Sequence, residues 1–377
     1  MRFVFYTHSL VSDWNHGNAH FLRGVMRDLI RRGHSATALE PSGGWSRTNL
    51  LIDQGHDGLE NFEAAFPDLH SEVYGENFDH AAVLDGADVV IVHEWTDPQL
   101  VADIGRIRRD GGRFKLLFHD THHRAVSAEG EIASLFLDDY DAILVFGDAL
   151  RERYQRAGST PPAHVWHEAA DVELFRPLPN DRLDGDVIWI GNWGDGERAE
   201  ELREYLIDPV RHLNLRGTVR GVRYPGKALE ALNGAGFHYG GWIANAEVPR
   251  AFSRHRATIH VPRRPYVEAL PGIPTIRVFE ALACGIPLIS APWNDCEGLF
   301  RPGRDFLLAH NGDEMVHLLH DVLHDEALRS SMITAGLETI RTRHTCSHRV
   351  EELLSIVRAL RLPDRPADHR LQIEAAQ

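Results

Sequence analysis

The chain is predicted to be α/β, with two Rossmann-like doubly wound domains facing a central cleft. Short apolar runs alternate with helical patterns from end to end, which implies parallel strands joined by crossover helices. The alternation restarts at Asp186–Gly191, after a stretch rich in turn formers. The 377 residues give room for about two cores.

In the first half the expected strands are Arg2–Tyr6, Ser35–Glu40, Asp88–His93, Phe114–His119, Asp141–Phe146 and Ala163–His167. Between the first two, Leu22, Val25, Met26, Leu29 and Ile30 share one helical face, and Gly33 closes that helix. A hinge is expected over 172–185, where Pro177, Pro179, Asn180 and Gly185 all form turns. The second half has strand-like runs at Asp186–Gly191, near Thr218, and at Phe237–Tyr239, Thr258–Val261, Ile286–Ser290 and Phe306–Ala309. These boundaries divide the chain into 1–171, the linker 172–185, 186–345, a last amphipathic helix over 346–362 that crosses back to the first domain, and a flexible tail over 363–377.

The balance of 40 Lys+Arg against 55 Asp+Glu, a net charge of −15, argues against nucleic acid as a partner and against docking on anionic lipid. A local basic pocket for a small anion remains compatible with it. No run approaches the ~18 apolar residues of a membrane span, and the N-terminus reads as a first strand rather than a signal peptide. Cys284, Cys296 and Cys346 are odd in number and not spaced as a metal knuckle, so reduced thiols in a cytoplasm are expected.

The richest segment is PGIPTIRVFEALACGIPLIS, Pro271–Ser290. Pro274 suits the first turn of a helix and Gly285 the position just past its end. The loop Gly272-Ile273-Pro274-Thr275 admits a ligand close to the backbone. The N–H groups of Thr275, Ile276 and Arg277 favour an anion at the helix start. Glu280, further along, offers an acceptor for sugar hydroxyls, so a nucleotide diphosphate fits the pattern. The i, i+3 spacing of Arg277 and Glu280 also describes an ordinary surface ion pair.

Two glycine-containing loops follow strands: Trp14-Asn15-His16-Gly17-Asn18, and Gly191-Asn192-Trp193-Gly194-Asp195-Gly196 leading to Arg198. The cluster His119-Asp120-Thr121-His122-His123 also follows a strand; it reaches a ligand or simply caps the next helix. Arg263 and Arg264 sit at another strand end, where guanidinium forks suit phosphate, and Arg264 is preferred of the two. Trp95 lines the acceptor side or packs.

On these residues the chain resembles a GT-B glycosyltransferase of the retaining family-four type, closest to the spore-maturation-protein-like (CgeB-like) group. The resemblance covers nearly the whole chain and is strongest over Ser9–Glu40 and Val261–Trp293. It implies an acceptor-side domain over 1–171 and a nucleotide-sugar-binding domain over 186–345. It further implies that Glu280 receives the ribose hydroxyls, that His119 reaches toward the donor sugar, and that the Gly17 loop passes over the diphosphate. The family's usual second glutamate, eight residues before Glu280, is Gly272 here, as in the spore-maturation-like group.

The expected activity is hexosyl transfer from a UDP- or GDP-sugar to an unidentified acceptor, a glycan, small molecule or protein. Retention, no metal and no tightly bound cofactor are expected. His119, Asp120 and Arg264 are the candidate catalytic residues. Glu280, Gly272 to Arg277, Asn192, Trp193, Gly194, Arg198 and Gly17 are assigned to the donor, and Asn15, His16, Trp95 and His122 to the acceptor side. Epimerisation on the same fold, metal-dependent hydrolysis by His119–His123, and non-catalytic nucleotide-sugar binding remain open alternatives.

Overall fold

Val89–His93 and Ala142–Val145 are buried along their whole length. Strands covered on both faces are joined by crossover helices rather than hairpins, and so run parallel. The computed structural model describes residues 1–180 and 182–360; the expected tail and the end of the expected last helix lie outside these.

The first sheet comprises β1 (Arg2–Tyr6), β2 (Ser35–Pro41), β3 (His70–Tyr74), β4 (Val89–His93), β5 (Lys115–Asp120), β6 (Ala142–Val145) and β7 (Ala163–Val165). Its order is β3-β2-β1-β4-β5-β6-β7, all parallel, with Phe3 opposite Val89 and His93 opposite His119. The second comprises β8 (Val187–Ile190), β9 (Gly217–Arg220), β10 (Phe237–Tyr239), β11 (Ala257–His260), β12 (Leu288–Ser290) and β13 (Leu307–Leu308), in the order β10-β9-β8-β11-β12-β13. β3 is absent from the sequence reading. HSEVY is an edge strand paired only with β2 and largely open to solvent, so it carries no apolar alternation.

Strand order reverses between β1 and β4, and again between β8 and β11. The loops leaving these strands flank the switch points, where doubly wound sheets bind ligands. Buried side chains hold the β1 loop in shape. Arg23 donates to Leu10 O (2.8 Å), Val11 O (3.0 Å) and Asp13 Oδ2 (2.7 Å), with its guanidinium against Phe62 and Phe66. Glu40 accepts from Ser9 Oγ (2.6 Å) and Val11 N (3.2 Å).

One apolar cluster runs from Phe5 and Val25 through Trp166 and Phe175 to Ile276, Phe279 and Val350, binding both sheets' layers together. The Cys346–Ala359 helix packs on the Ala19–Arg31 helix of the first unit. There Gly24 is required: a Cβ would run into Cys346 and meet Asp171 Cβ at 2.8 Å. Trp166 Nε1 donates to Arg349 O (2.8 Å) at the same seam. The chain thus passes between the units twice, and the two passages are joined by Ala170 N to His344 O and Cys346 N to Ala170 O, both 2.9 Å.

Candidate active cleft

The β8 loop puts a buried cation at the second switch point. Arg198 donates to Val261 O (2.8 Å) and to Asn192 O and Oδ1 (2.8 and 2.9 Å), and lies over the Trp189 ring. Among the described residues it has no carboxylate partner within ion-pair distance, and its Nε has no hydrogen-bond partner. Burial, reinforced by Arg263, pulls its pKa down to about 10. Gly194 (φ 90°) lets the loop close over it, since a Cβ would sit 2.8 Å from Arg198 Cγ. Trp193 packs against Tyr224.

The loops of the two units meet here. Asn192 Nδ2 donates to Asn15 Oδ1. Among the described residues four non-glycines have positive φ, and three of them, Asn15, Asp195 and Arg223, belong to this rim. Such backbone strain concentrates at functional sites. Arg263 donates to Glu197 (2.8 Å) and Asn192 Oδ1 (3.1 Å). Arg264 instead pairs with Glu201 (2.7 Å), its side chain 39% exposed. Of the two, Arg263 joins the loop, whereas Arg264, the candidate preferred from the sequence, faces Glu201.

The Pro271–Ser290 segment is built differently from expectation. Its helix runs Ile276–Cys284 with Thr275 as N-cap, so Pro274 precedes the cap instead of entering the first turn. Gly285 is left-handed as expected (φ 66°, ψ 32°). Thr275 Oγ1 bonds His260 Nε2 (3.1 Å) rather than capping the helix. Burial, with Arg198 and Arg277 nearby, pushes His260 down to about 3, so it is neutral. The 272–276 loop is filled by apolar contacts. Ile273 belongs to the first unit's core and abuts Gly147, and Ile276 lies 3.1 Å from where a Cβ on Gly17 would be.

Gly272 has φ 88°, and a Cβ there would meet Cys296 Sγ, Glu297 Cγ and Glu297 Oε1 at 2.9 Å each. Glu297 is fixed: Oε1 accepts from Asp148 N (2.9 Å) and Oε2 lies 2.7 Å from His167 Nε2. Placing a glutamate at 272 is expected to cost about 3 kcal/mol, combining backbone strain with overpacking. Urea unfolding of Gly272→Glu measures this; an unchanged midpoint removes the steric account.

Glu280 is 0% exposed. Its Oε1 is 2.7 Å from His20 Nδ1, and Oε2 accepts from Arg277 Nη1. His20 Nε2 accepts from Asp171 N (2.8 Å), which leaves Nδ1 as the donor to Glu280, and the ring stacks on Phe175 at 3.9 Å. Each carboxylate oxygen already has one partner within the protein, so a ribose hydroxyl would have to share Glu280 with His20 and Arg277. His20 comes from the other unit and carries no sequence signal pointing across the cleft.

On the first unit's wall, β4 and β5 end side by side. His93 Nε2 bonds Thr121 Oγ1 (3.0 Å). Glu94 Oε2 lies 2.7 Å from His93 Nδ1 but poorly directed, and neither carboxylate oxygen of Glu94 has a hydrogen-bond partner. His16 Nε2, His119 Nε2 and His122 Nδ1 are likewise buried and unpartnered. His119 packs against Trp166 (4.8 Å) and His93 (5.6 Å), and burial holds it well below its ordinary pKa, hence neutral. Asp120 turns inward: it accepts from Tyr154 OH (2.8 Å) and His122 N (3.2 Å), and burial, with Glu94, pushes it up to about 7. Asp120, a candidate catalytic residue, is thus held inside the protein by Tyr154 and the His122 N–H. Among the described residues no three His, Cys, Asp or Glu side chains are placed to hold a metal ion.

Glu168, which the sequence reading left without chemistry, accepts from Asn18 Nδ2 (3.0 Å), and burial raises it to about 8. Asn18 therefore does not cap the helix it precedes. The raised pKa fixes a sign. Below about pH 4.5 both folded and unfolded states hold this proton; between about 4.5 and 8 only the folded state does. Folding stability therefore falls as pH rises through that window. Glu168→Gln is expected to lose less stability than wild type between pH 5 and 8.5 in urea unfolding; parallel curves would contradict this.

A cavity of about 1320 Å³ lies elsewhere, between the Asp57–Ala65 helix and the β9–β10 face. Phe62, Arg220, Trp242 and Arg250 line it, whereas Asn192, Arg198 and His119 do not.

Residues 198–355 match a family model described as "Glycosyl transferase-like". No curated protein matches the chain. Among solved structures, it is similar to a sucrose-phosphate synthase from Thermosynechococcus elongatus, at 14% identity over 100% of both chains with TM-score 0.65. It is similar to HepE of Anabaena, solved with UDP and glucose, at 14% identity over 96% of this chain and 100% of that one, TM-score 0.65. An alpha-glucosyltransferase, solved with UDP and a 13-mer DNA containing a HMU base, matches at 12% identity over 95% and 99%, TM-score 0.68. The fold is therefore GT-B, and residues 198–355 are similar in sequence to the glycosyl transferase-like family model. No helix among the described residues is long and apolar enough to cross a membrane.

Proposed function

We propose that this protein is a glycosyltransferase that moves a hexosyl group from a nucleoside-diphosphate sugar to an acceptor hydroxyl. Arg198 carries this reading. A buried guanidinium without a carboxylate is costly unless an anion joins it, and its carbonyl partners hold the fork in place at a switch point. Arg263 and Arg277 lie near enough to shift it or its neighbour His260, so the diphosphate is assigned to this cluster. UDP is the first nucleotide to test, because HepE and the alpha-glucosyltransferase were solved with it; GDP is the second.

Residues 186–345 hold the donor and residues 1–171 the acceptor in this reading. The acceptor oxygen bonds to the anomeric carbon as the bond to the diphosphate breaks. The bonding electrons leave with the nucleoside diphosphate, which also takes the hydroxyl proton if configuration is retained. Arginine and backbone N–H groups stabilise the departing charge, so no metal is needed. His119, neutral and unpartnered at Nε2, is assigned to the donor-sugar side. Three unpaired thiols fit a reducing, cytoplasmic setting.

Titration calorimetry with UDP and GDP, followed by NMR of the product's anomeric centre in the presence of a chelator, tests the proposal. Binding of a nucleotide, chelator-resistant transfer and retained configuration are expected. Failure to bind either nucleotide sinks it.

A further inference from the structure

We propose that the rim of the first unit is a saccharide platform, and that the acceptor presents a neutral sugar ring to Trp45 and Trp95. This rests on the transferase reading above. Trp45 is 41% exposed and Trp95 is 45% exposed, although each stands beside the switch-point loops. Trp95 follows β4, and Trp45 opens the helix after β2. His8, in the loop after β1, lies between them, with ring centroids 6.2 Å from Trp45 and 6.0 Å from Trp95. His122 continues the row 5.4 Å beyond Trp95.

Both indoles are held by their neighbours. The Arg124 guanidinium lies 4.4 Å from the Trp95 ring centroid and is itself tied to Glu94 O (2.8 Å). Trp45 packs edge-on against Trp14 at 5.0 Å, and Trp14 Nε1 donates to Asp53. A half-exposed ring fixed in this way loses little freedom when something stacks on it.

A single exposed aromatic is unremarkable. The hydrogen-bonding groups beside this row make the difference. Both oxygens of Glu94, Nε2 of His16 and Nδ1 of His122 are buried and unpartnered. Stacking faces beside unpartnered acceptors and imidazoles match a sugar, which has C–H faces and a girdle of hydroxyls. They match a phosphate backbone poorly. Two of the rim's arginines are already paired, Arg124 with Glu131 (2.7 Å) and Arg223 with Asp195 (3.0 Å). Burial holds His8, His16 and His122 neutral. A neutral saccharide is favoured over DNA on that balance.

The test uses the full chain with UDP present. It is applied to an array of neutral oligosaccharides built from hexoses, N-acetylhexosamines and deoxyhexoses, with acidic oligosaccharides and a 13-mer DNA duplex alongside. Neutral oligosaccharides are expected to bind. Trp45→Ala or Trp95→Ala should weaken them by up to about tenfold, a Phe at the same position should restore part of that, and UDP affinity should stay within about twofold. The unchanged UDP affinity shows that the variants are folded. Binding of UDP with no neutral saccharide bound overturns the platform, as does saccharide binding untouched by both alanine variants or a preference for DNA. Absence of UDP and GDP binding with saccharide still bound overturns the transferase reading instead.

Discussion

Arg198→Met is expected to remove UDP binding while moving the unliganded melting temperature by little. Two opposing terms set the stability change. Methionine leaves Val261 O and Asn192 O without their donor, at about 1–3 kcal/mol each. It also removes a buried cation that has no carboxylate partner, whose penalty is several kcal/mol. The net change is expected within about 2 kcal/mol. Binding has no such cancellation. A charge-assisted hydrogen bond contributes about 1.5–3 kcal/mol, so losing one lowers UDP affinity by roughly 10- to 150-fold, and losing the fork lowers it further. Arg198→Lys keeps a charge but not the two-pronged contact and should fall between. Thermal shift with and without UDP reads both quantities at once. An Arg198→Met protein that binds UDP like wild type would falsify the assignment.

His20→Ala should be the most destabilising of the substitutions considered. It leaves Glu280, fully buried, with Arg277 alone, and it leaves Asp171 N without an acceptor. Losing a hydrogen bond to a buried charge costs about 1.5–3 kcal/mol, and a stranded backbone N–H adds about 1–3 kcal/mol. Adding Glu280→Gln to that variant replaces the stranded carboxylate by a neutral amide, so part of the loss should return. The coupling is read from a double-mutant cycle by urea unfolding. A loss below about 1 kcal/mol for His20→Ala would show that the contact is incidental.

Local signals carried much of this molecule. The parallel strands announced themselves because they are short, apolar and punctuated, and the Gly285 cap because only a left-handed residue ends that helix cleanly. Asn15, Asn192 and Arg198 were legible as loop residues following strands, and the fold brings them together. What the sequence hid depends on distance along the chain. His20 meets Glu280 across 260 residues, and Glu297 meets Asp148 across 149. Neither contact leaves a local pattern. β3 was hidden for the opposite reason, as an exposed edge has no periodicity to show. Arg263 and Arg264 are adjacent in the sequence, and only the folded backbone separates the one that joins the loop from the one that faces Glu201.

The bonds between Ala170 and the His344–Cys346 stretch carry a mechanical consequence. Two bodies joined by a single strand can swing, twist and slide. Here the strands leaving and returning are stapled to each other at one point, beside Asp171 and the His20 ring that it steadies. Such a staple would act as a pivot pin, favouring rotation over sliding. Each opening of the jaws would then pull on His20 and Glu280 close to the pin, and on Asn15 and Asn192 at the lips.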